Sequence, residues 1–536
     1  MMRKYIFITL AALTLASCLD EDPRDRLAED EVFSTATDLY LNTVANLYNY
    51  IGGHEDGQGL QGTTRGIYDL NTFTTDEAIL PTRGGDWYDG GLWLELYKHT
   101  FHAGTAPIDN SWNYLYKVIV LCNQSLDYLQ KYSHLIPAGQ QAPLQAEVRG
   151  IRALCYFYLL DLFGRVPWIS SSGISMNETD QLARNRFFWK LYDEVNEILP
   201  DLPSMRSNMQ GNYYGRITAP VMWFILAKMT LNAEIWTDDI WTDGKRLKGN
   251  DIFFTIADEQ MTAWEACIYY CDLLTHFGYK LEPIYSSNFN TKNEFSLENI
   301  FTIPMDKTLY TNQFKYLFRS RHNNHGAALS MASENGTCAT VSAVRTYGYG
   351  TDDVDNRYFM NFFSDSVYVD KDLVLLDNGE PLVYMPLAVK PDLTGSPYEK
   401  TAGARMFKYE IDRTAYNDGL LQSNDIVLFR YADVLLMLSE AKVRAGLNGD
   451  KELNMVRQRV GMDNRPATLD NILDERLMEL QWEGWRRQDL IRFDRFHLAY
   501  DMREQVPNEN DRHTIVFPIP GGAIDLNTRL TQNPGY

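Results

Sequence analysis

Helical periodicity interrupted by two irregular stretches predicts a mainly α protein, with helical hairpins as a scaffold and a loop-rich lobe set into it. Three observations carry this expectation. Long windows place apolar residues at spacings of three and four. Gly, Asp and aromatic residues break that pattern over 52–106. It fades again over 278–425, where Gly, Asn, Asp and Pro become frequent.

Taken in order, Thr37–Tyr50 carries Leu39, Leu41, Val44, Leu47 and Tyr48 on one face, behind the capping-type Ser34 and Thr35. Asp109–Tyr132 repeats the spacing through Trp112, Leu115, Ile119, Cys122 and Leu129. Gln141–Phe163 follows and should stop at Gly164, with Pro167 beyond. The loop Ser133–Gly139 is short enough to fold these two into an antiparallel hairpin. Arg186–Leu199 and Ala219–Trp236 form a second expected pair, and Met261–Phe277 a further helix. Ile300–Ile303 and Leu373–Leu376 read as isolated strands or loop cores. Helices resume at Tyr431–Ala445, Leu453–Val460, Leu469–Glu483 and Trp485–Phe493, and the proline-rich tail argues against another. Paired helices of roughly 35 to 45 residues point to a degenerate tetratricopeptide-like repeat. Without sharp internal identity, periodicity leaves an irregular helical domain equally open. The expected organisation is 18–277, 278–425 and 426–536, behind a leader at 1–17.

That leader starts with Arg3 and Lys4 and continues through the apolar run Tyr5–Ala16, too short to span a bilayer. It ends in Leu15-Ala16-Ser17-Cys18, which resembles the lipobox of a bacterial lipoprotein and implies cleavage and lipidation at Cys18. Several acyl chains anchor stably, because each buried methylene contributes about 0.8 kcal/mol. Asp20-Glu21-Asp22 behind it resembles the surface-export signal of Bacteroidetes lipoproteins.

The chain has 50 Lys+Arg against 71 Asp+Glu, a net charge of −21, and losing Arg3 and Lys4 with the leader makes it −23. Such a surface excludes nucleic acid as a partner. It is also repelled by anionic lipid, so acyl chains must do the anchoring. Apart from Cys18 there are five cysteines (Cys122, Cys155, Cys267, Cys271, Cys338). Their odd number and helical settings indicate buried free thiols.

Four blocks then agree with one family. Ala146-Glu147-Val148-Arg149 through Arg152-Ala153, Tyr156-Phe157 and Phe163-Gly164-Arg165-Val166-Pro167 resembles the AExRxxRAxxYFxLxxxFGxVP pattern of the SusD/RagB family. Phe429-Arg430-Tyr431-Ala432-Asp433 through Glu440-Ala441 resembles its FRYADVLLMxAEA segment. Leu453-Asn454 through Arg457, Arg459 and Gly461 resembles LNxVRxRAG, and Glu475-Arg476 through Arg492 resembles ERxxELxxEGxRxxDLxR. Pro518-Ile519-Pro520 and Gln532–Tyr536 complete the set. The resemblance implies a nutrient-binding outer-membrane lipoprotein on a tetratricopeptide-like scaffold, capping a SusC-like TonB-dependent transporter. The charged residues of these blocks (Arg430, Asp433, Glu440, Glu475, Arg476, Glu483, Arg487) are expected to form inter-helix ion pairs rather than a ligand site.

Ligand residues are expected in the irregular stretch 52–106 instead. Arg83-Gly84-Gly85-Asp86-Trp87-Tyr88-Asp89-Gly90-Gly91 sets flat rings among glycines that let them stand clear of the backbone. With 13% of the chain aromatic, most rings must be core, but exposed ones offer faces on which a sugar stacks. Trp87 is the preferred platform, with Tyr88 beside it. Asp86, Asp69 and Arg83 are candidates to hydrogen-bond hydroxyls. Trp93, ahead of a helical stretch, is a weaker candidate that reads as core. Arg345-Thr346-Tyr347 is a second, weaker contribution. Catalysis gains little support: there is no HExxH, GxSxG or phosphate loop. No cofactor is expected. Asp352-Asp353-Val354-Asp355-Asn356 lacks the spacing of a calcium loop and reads as a solvated acidic turn. The leading expectation is thus a non-catalytic oligosaccharide- or polysaccharide-binding lipoprotein. A surface glycoside hydrolase and a binder of peptide or another nutrient are the alternatives.

Overall fold

The long helices form where apolar spacing and end signals coincide. Ala106–Lys131 begins with a proline in its first turn, where the missing N–H costs nothing. Gln141–Phe163 ends at Gly164, whose φ of +69° is open to glycine, and the Gly164 N–H closes the last turn on the Leu160 carbonyl at 3.1 Å. The computed structural model describes residues 29–53, 55–310, 312–416, 419–504 and 509–536. The leader and Cys18 lie outside them. Among the described residues no helix is long and apolar enough to cross a membrane.

Gln141–Phe163 is buried almost throughout from Ala146 onward, because it lies between Ala106–Lys131 and Arg184–Ile198. Arg149 and Arg152 hold the latter through Glu194, at 2.8 and 2.5 Å. The expected pairing of the next two helices is corrected. Ala219–Leu231 packs mainly on Ala263–His276, and that helix on Tyr431–Arg444. Ala219–Leu231 is apolar on nearly every face, so its sequence has no stripe to choose a neighbour. Ala263–His276 starts with a capping box, Thr262 and Glu265 each accepting from the other's backbone N–H. The first expected helix is also modified: Ala36–Tyr40 and Asn46–Gly52 are joined through a π turn, Leu41–Ala45.

Strand Asn299–Ile303 pairs antiparallel with Ile426–Arg430. Chain leaves the helical body at this ribbon for the lobe and returns through it. Phe429 and Arg430 therefore end a strand, and the helix starts at Tyr431. Between them the lobe combines short helices, among them Asn323–Ala328 and Val341–Thr346, with two-residue strands, and Leu329, Val367, Val369, Val374, Leu382 and Tyr384 form a small core separate from the main one. Leu373–Leu376, expected as a strand or loop core, is divided between the two: Leu373 ends the strand Asp372–Leu373, and Val374 is buried in the lobe's small core. A short helix, Gly521–Leu526, follows Pro520 in the tail, against expectation. The proline stops the preceding segment without preventing a new start.

The motif blocks meet inside the protein. Arg430 reaches Glu298, Glu479 and Glu483 at 2.9, 2.6 and 2.8 Å. Arg459 also takes Glu298 and Glu479, Arg357 takes Asp355, Glu475 and Glu479, Arg457 takes Glu475, and Lys408 takes Glu483. Asp355 is therefore a buried partner of Arg357, correcting the reading of its segment as wholly solvated; Asp352 and Asp353 are exposed. A second cluster joins Lys228 and Arg476 to Asp433, Arg476 and Arg492 to Asp489, and Arg492 to Glu440. Arg487 takes Asp161 at 3.0 Å. The ion pairs expected of the motifs are present. All five described cysteines are free and buried.

Burial alone would raise the Glu479 carboxyl, but Arg459, Arg430 and Arg357 outweigh it and hold it well below the usual range. Glu479→Ala is expected to cost about 3–5 kcal/mol, because it takes one carboxylate from each of three buried guanidinium groups and leaves the cluster with excess positive charge. Urea unfolding of the variant measures this, and a loss within error of zero would show that the cluster does not hold the fold.

Candidate functional site

Residues 52–106 are mostly not the open loop their composition suggests. Residues 59–83 are largely buried, and the segment carries helices Ile67–Thr72 and Leu92–Lys98 and a two-residue strand, Ala78–Ile79, paired with Cys338–Ala339. Its polar groups are matched by distant parts of the chain, as burial requires. Asp69 takes the Arg319 guanidinium in a fork at 2.8 and 3.3 Å and accepts the Arg65 backbone N–H at 2.6 Å. Asp76 takes Arg486 at 2.6 Å, and the Glu77 carboxylate accepts the Trp482 backbone N–H. The stretch is thereby fixed to the C-terminal motif block.

Arg83 belongs to the same interior. It is 0% exposed and donates to the Glu399 and Ala402 carbonyls at 2.9 Å and to Gly336 O at 3.2 Å. Burial, with Arg405 nearby, pushes its guanidinium down to about 9. Asp69 and Arg83 are fasteners and do not reach the surface. Trp93 is likewise core at 1% exposure, its indole N–H on the Asp89 carboxylate at 2.8 Å and its ring edge-on to Phe73.

What emerges is the turn 84–91. Gly84, Gly90 and Gly91 have positive φ, and so do Trp87 at +63° and Asp89 at +42°. For non-glycine residues this is stored strain, which persists where surrounding structure over-determines it. Gly336 supplies part of that determination: a Cβ there would meet the Trp87 ring at 2.7 Å, so the ring lies directly on backbone. The Trp87 indole N–H donates to Glu334 O at 2.9 Å, and the ring stands edge-on to Trp93 at 6.2 Å. Trp87 is thus half-buried, and Tyr88 beside it is 58% exposed. Asp86 pairs with Lys400 and Asp89 with Arg65, each at 2.8 Å. The turn therefore offers two rings, with carboxylates and cations around them.

The structure brings Trp87, Tyr88 and Asp86 together with Lys400, Arg65 and Glu334, which sequence reasoning missed. Nothing local marks those three: Glu334 and Lys400 are single charged residues far away in the chain, and Arg65 lies in the same stretch without a motif around it. The second expected contribution does not join the patch. Tyr347 is buried, its hydroxyl donating to Met478 O at 2.9 Å and accepting from Asn361. Arg345 is exposed on Val341–Thr346, with no hydrogen bond or ion pair to the turn. Among the described residues no three His, Cys, Asp or Glu side chains group as a metal site would need.

Comparison with known proteins gives the lineage. A model described as "SusD family" matches residues 388–536, and one described as "Starch-binding associating with outer membrane" matches 68–204. The chain belongs to the SusD family. This family member is 24% identical over 427 residues to starch-binding protein SusD of Bacteroides thetaiotaomicron, covering 73% of this chain and 72% of that one. It is 24% identical to SusD-like protein P25 of Formosa agariphila, covering 99% and 98%. Among solved structures, a laminarin-binding SusD-like protein superposes with a TM-score of 0.66 at 19% identity, covering 94% of this chain and 100% of that one. Surface glycan-binding protein A of Bacteroides thetaiotaomicron, in complex with laminarihexaose, superposes at 0.67 and 17%, covering 93% and 99%. These likenesses establish the mainly α SusD-like fold.

The anchoring of this SusD-family protein's turn has a pH signature. Burial pushes the Glu77 carboxyl from an ordinary 4.5 up to about 8, against the pull of the Trp482 N–H, Lys408 and Arg486. A carboxyl raised on folding contributes stability fully present below about pH 4.5 and lost as pH rises through about 8. Glu77→Gln keeps an acceptor for Trp482 without the charge. Its unfolding free energy is expected to fall less than that of wild type between pH 5 and 8, as followed by urea titrations; parallel slopes would refute the assignment.

Proposed function

We propose that the protein binds glycan chains on the cell surface without cleaving them, using the turn 84–91. The carrying observation is the strained turn that presents Trp87 and Tyr88 above Gly336, with Asp86–Lys400 and Asp89–Arg65 beside the rings. A sugar ring has apolar C–H faces for the aromatic surface and hydroxyls for carboxylates and cations. A peptide is matched less well by paired, mutually neutralised charges. Relatives named for starch and laminarin binding support this reading, and their names describe binding rather than catalysis.

The same reading places the protein at the outer membrane, held by lipid on Cys18, and delivering its ligand to a SusC-like TonB-dependent transporter. A family model described as associating with the outer membrane supports the location, and the lipobox-like leader supports the anchor. With no catalytic group required, the contribution to uptake is local concentration of ligand at the transporter mouth.

Tyr88→Ala should weaken oligosaccharide binding by about 1–3 kcal/mol, the scale of a base–aromatic stack, with unchanged thermal stability because the ring is already exposed. Calorimetric titration with starch- and laminarin-derived oligosaccharides tests it. Trp87→Ala should lose at least as much affinity and some stability, since its ring also covers Gly336. New reducing ends appearing during incubation with the bound glycan would instead make the protein a hydrolase. Cys18→Ala is expected to release the protein from washed outer membranes of cells lacking the transporter; retention there would refute the lipid anchor.

A further inference from the structure

A second groove, of 670 Å³, opens on the seam between the main core and the lobe's own small core. None of its lining residues belongs to the turn 84–91 or to Arg65, Glu334 and Lys400. Its floor is the contact of Phe363 with Phe407, ring centroids 4.3 Å apart. Phe359 and Tyr368 stand at its mouth, 63% and 58% exposed. Among the described residues the Phe and Tyr rings exposed to that degree are Tyr88, Phe295, Phe359 and Tyr368, and the last two share one groove. Arg413 and Asp370 also line it, 3.8 Å apart, so the mouth carries both signs and little net charge.

His325 distinguishes this groove from a plain apolar patch. It lines the groove yet is 1% exposed, edge-on to Phe363 at 4.7 Å. Its Nδ1 lies 3.1 Å from the Tyr384 hydroxyl, which also accepts the His322 backbone N–H at 2.9 Å. Burial, together with Arg321 and Arg405, pushes the imidazole down to about 3, so it is neutral at physiological pH. It therefore adds a polar but uncharged edge to the groove beside its rings.

We propose that this groove is a second oligosaccharide subsite, in which Phe359 and Tyr368 stack on a sugar ring while Arg413 donates to its hydroxyls and Asp370 accepts. It rests on the glycan reading above but uses separate residues. Neutral polyols suit it: they bring apolar ring faces and both donors and acceptors, and they need no counter-charge from a mouth whose charges cancel. Two subsites on one lipoprotein would engage one polymer at two places, raising retention of long chains over short ones without tighter contacts at either.

The test uses the mature chain with laminarihexaose and maltoheptaose as probes, read by hydrogen exchange of 359–370 and 407–413 and, separately, of 84–91. Protection of the groove segments is expected in wild type and in Trp87→Ala, and its loss in Phe359→Ala/Tyr368→Ala. Phe359 stands edge-on to the core ring Tyr358 at 5.5 Å, so a thermal melt of the double variant accompanies the binding test. That double variant should also bind the parent polysaccharide about tenfold more weakly in affinity electrophoresis, while keeping protection at 84–91. Protection of 84–91 alone overturns this inference and leaves the first site standing. Protection of the groove alone supports it and removes Trp87 from the proposed function. No protection at either segment overturns both, and groove protection that disappears in Trp87→Ala overturns the independence claimed here.

Discussion

The Arg430 guanidinium is the point at which the fold is tied. Five cations (Arg357, Lys408, Arg430, Arg457, Arg459) and five carboxylates (Glu298, Asp355, Glu475, Glu479, Glu483) share one buried cluster, so its formal charges cancel. Well-packed apolar residues in such a place would often be as stable or more so, because desolvation consumes most of the Coulombic gain. What the charges add is selectivity of arrangement. The cluster is satisfied only when the lobe's return strand, the 355–357 segment and the helices Asp450–Arg459 and Leu469–Leu480 arrive together. A mispaired arrangement leaves a bare charge in a low dielectric, at a cost of several kcal/mol per ion. The charged letters of the motif blocks thus specify assembly.

Much of the scaffold was legible because a buried helix face leaves a period in the sequence. The helices Gln141–Phe163 and Ala263–His276 carry both an apolar face and end signals, and were placed to within a few residues. The partner of Ala219–Leu231 was not legible, since uniform apolarity says that a helix is buried but not against what. The lobe was read correctly as irregular. Its second core was invisible, because residues such as Leu329 and Tyr384 come together only through the tertiary fold.

The exposed turn that forms the candidate site was legible in part for the same reason. Rings flanked by glycines pointed to Trp87 and Tyr88, and backbone freedom is a local property. Asp69, Arg83 and Tyr347 were misplaced because a polar residue in an irregular segment reads as solvated. Here the segment is interior, and its polar groups are paid for by Arg319, by the carbonyls of Gly336, Glu399 and Ala402, and by that of Met478. Those partners lie far along the chain, and no window of sequence contains both halves of such a bond.

Gly336 carries a consequence for how such proteins diverge. The turn 84–91 is continuous in sequence, which invites the idea that it travels as a cassette. Yet the Trp87 ring rests on the backbone at Gly336, and its indole N–H is held by the carbonyl at Glu334. A turn transplanted onto a relative with a side chain at the position of Gly336 would arrive with the Trp87 ring lifted and its orientation lost. The structural unit that diverges together is therefore two segments about 250 residues apart, set side by side by the short strand pairing of Ala78–Ile79 with Cys338–Ala339. Loop grafting between relatives has to move both.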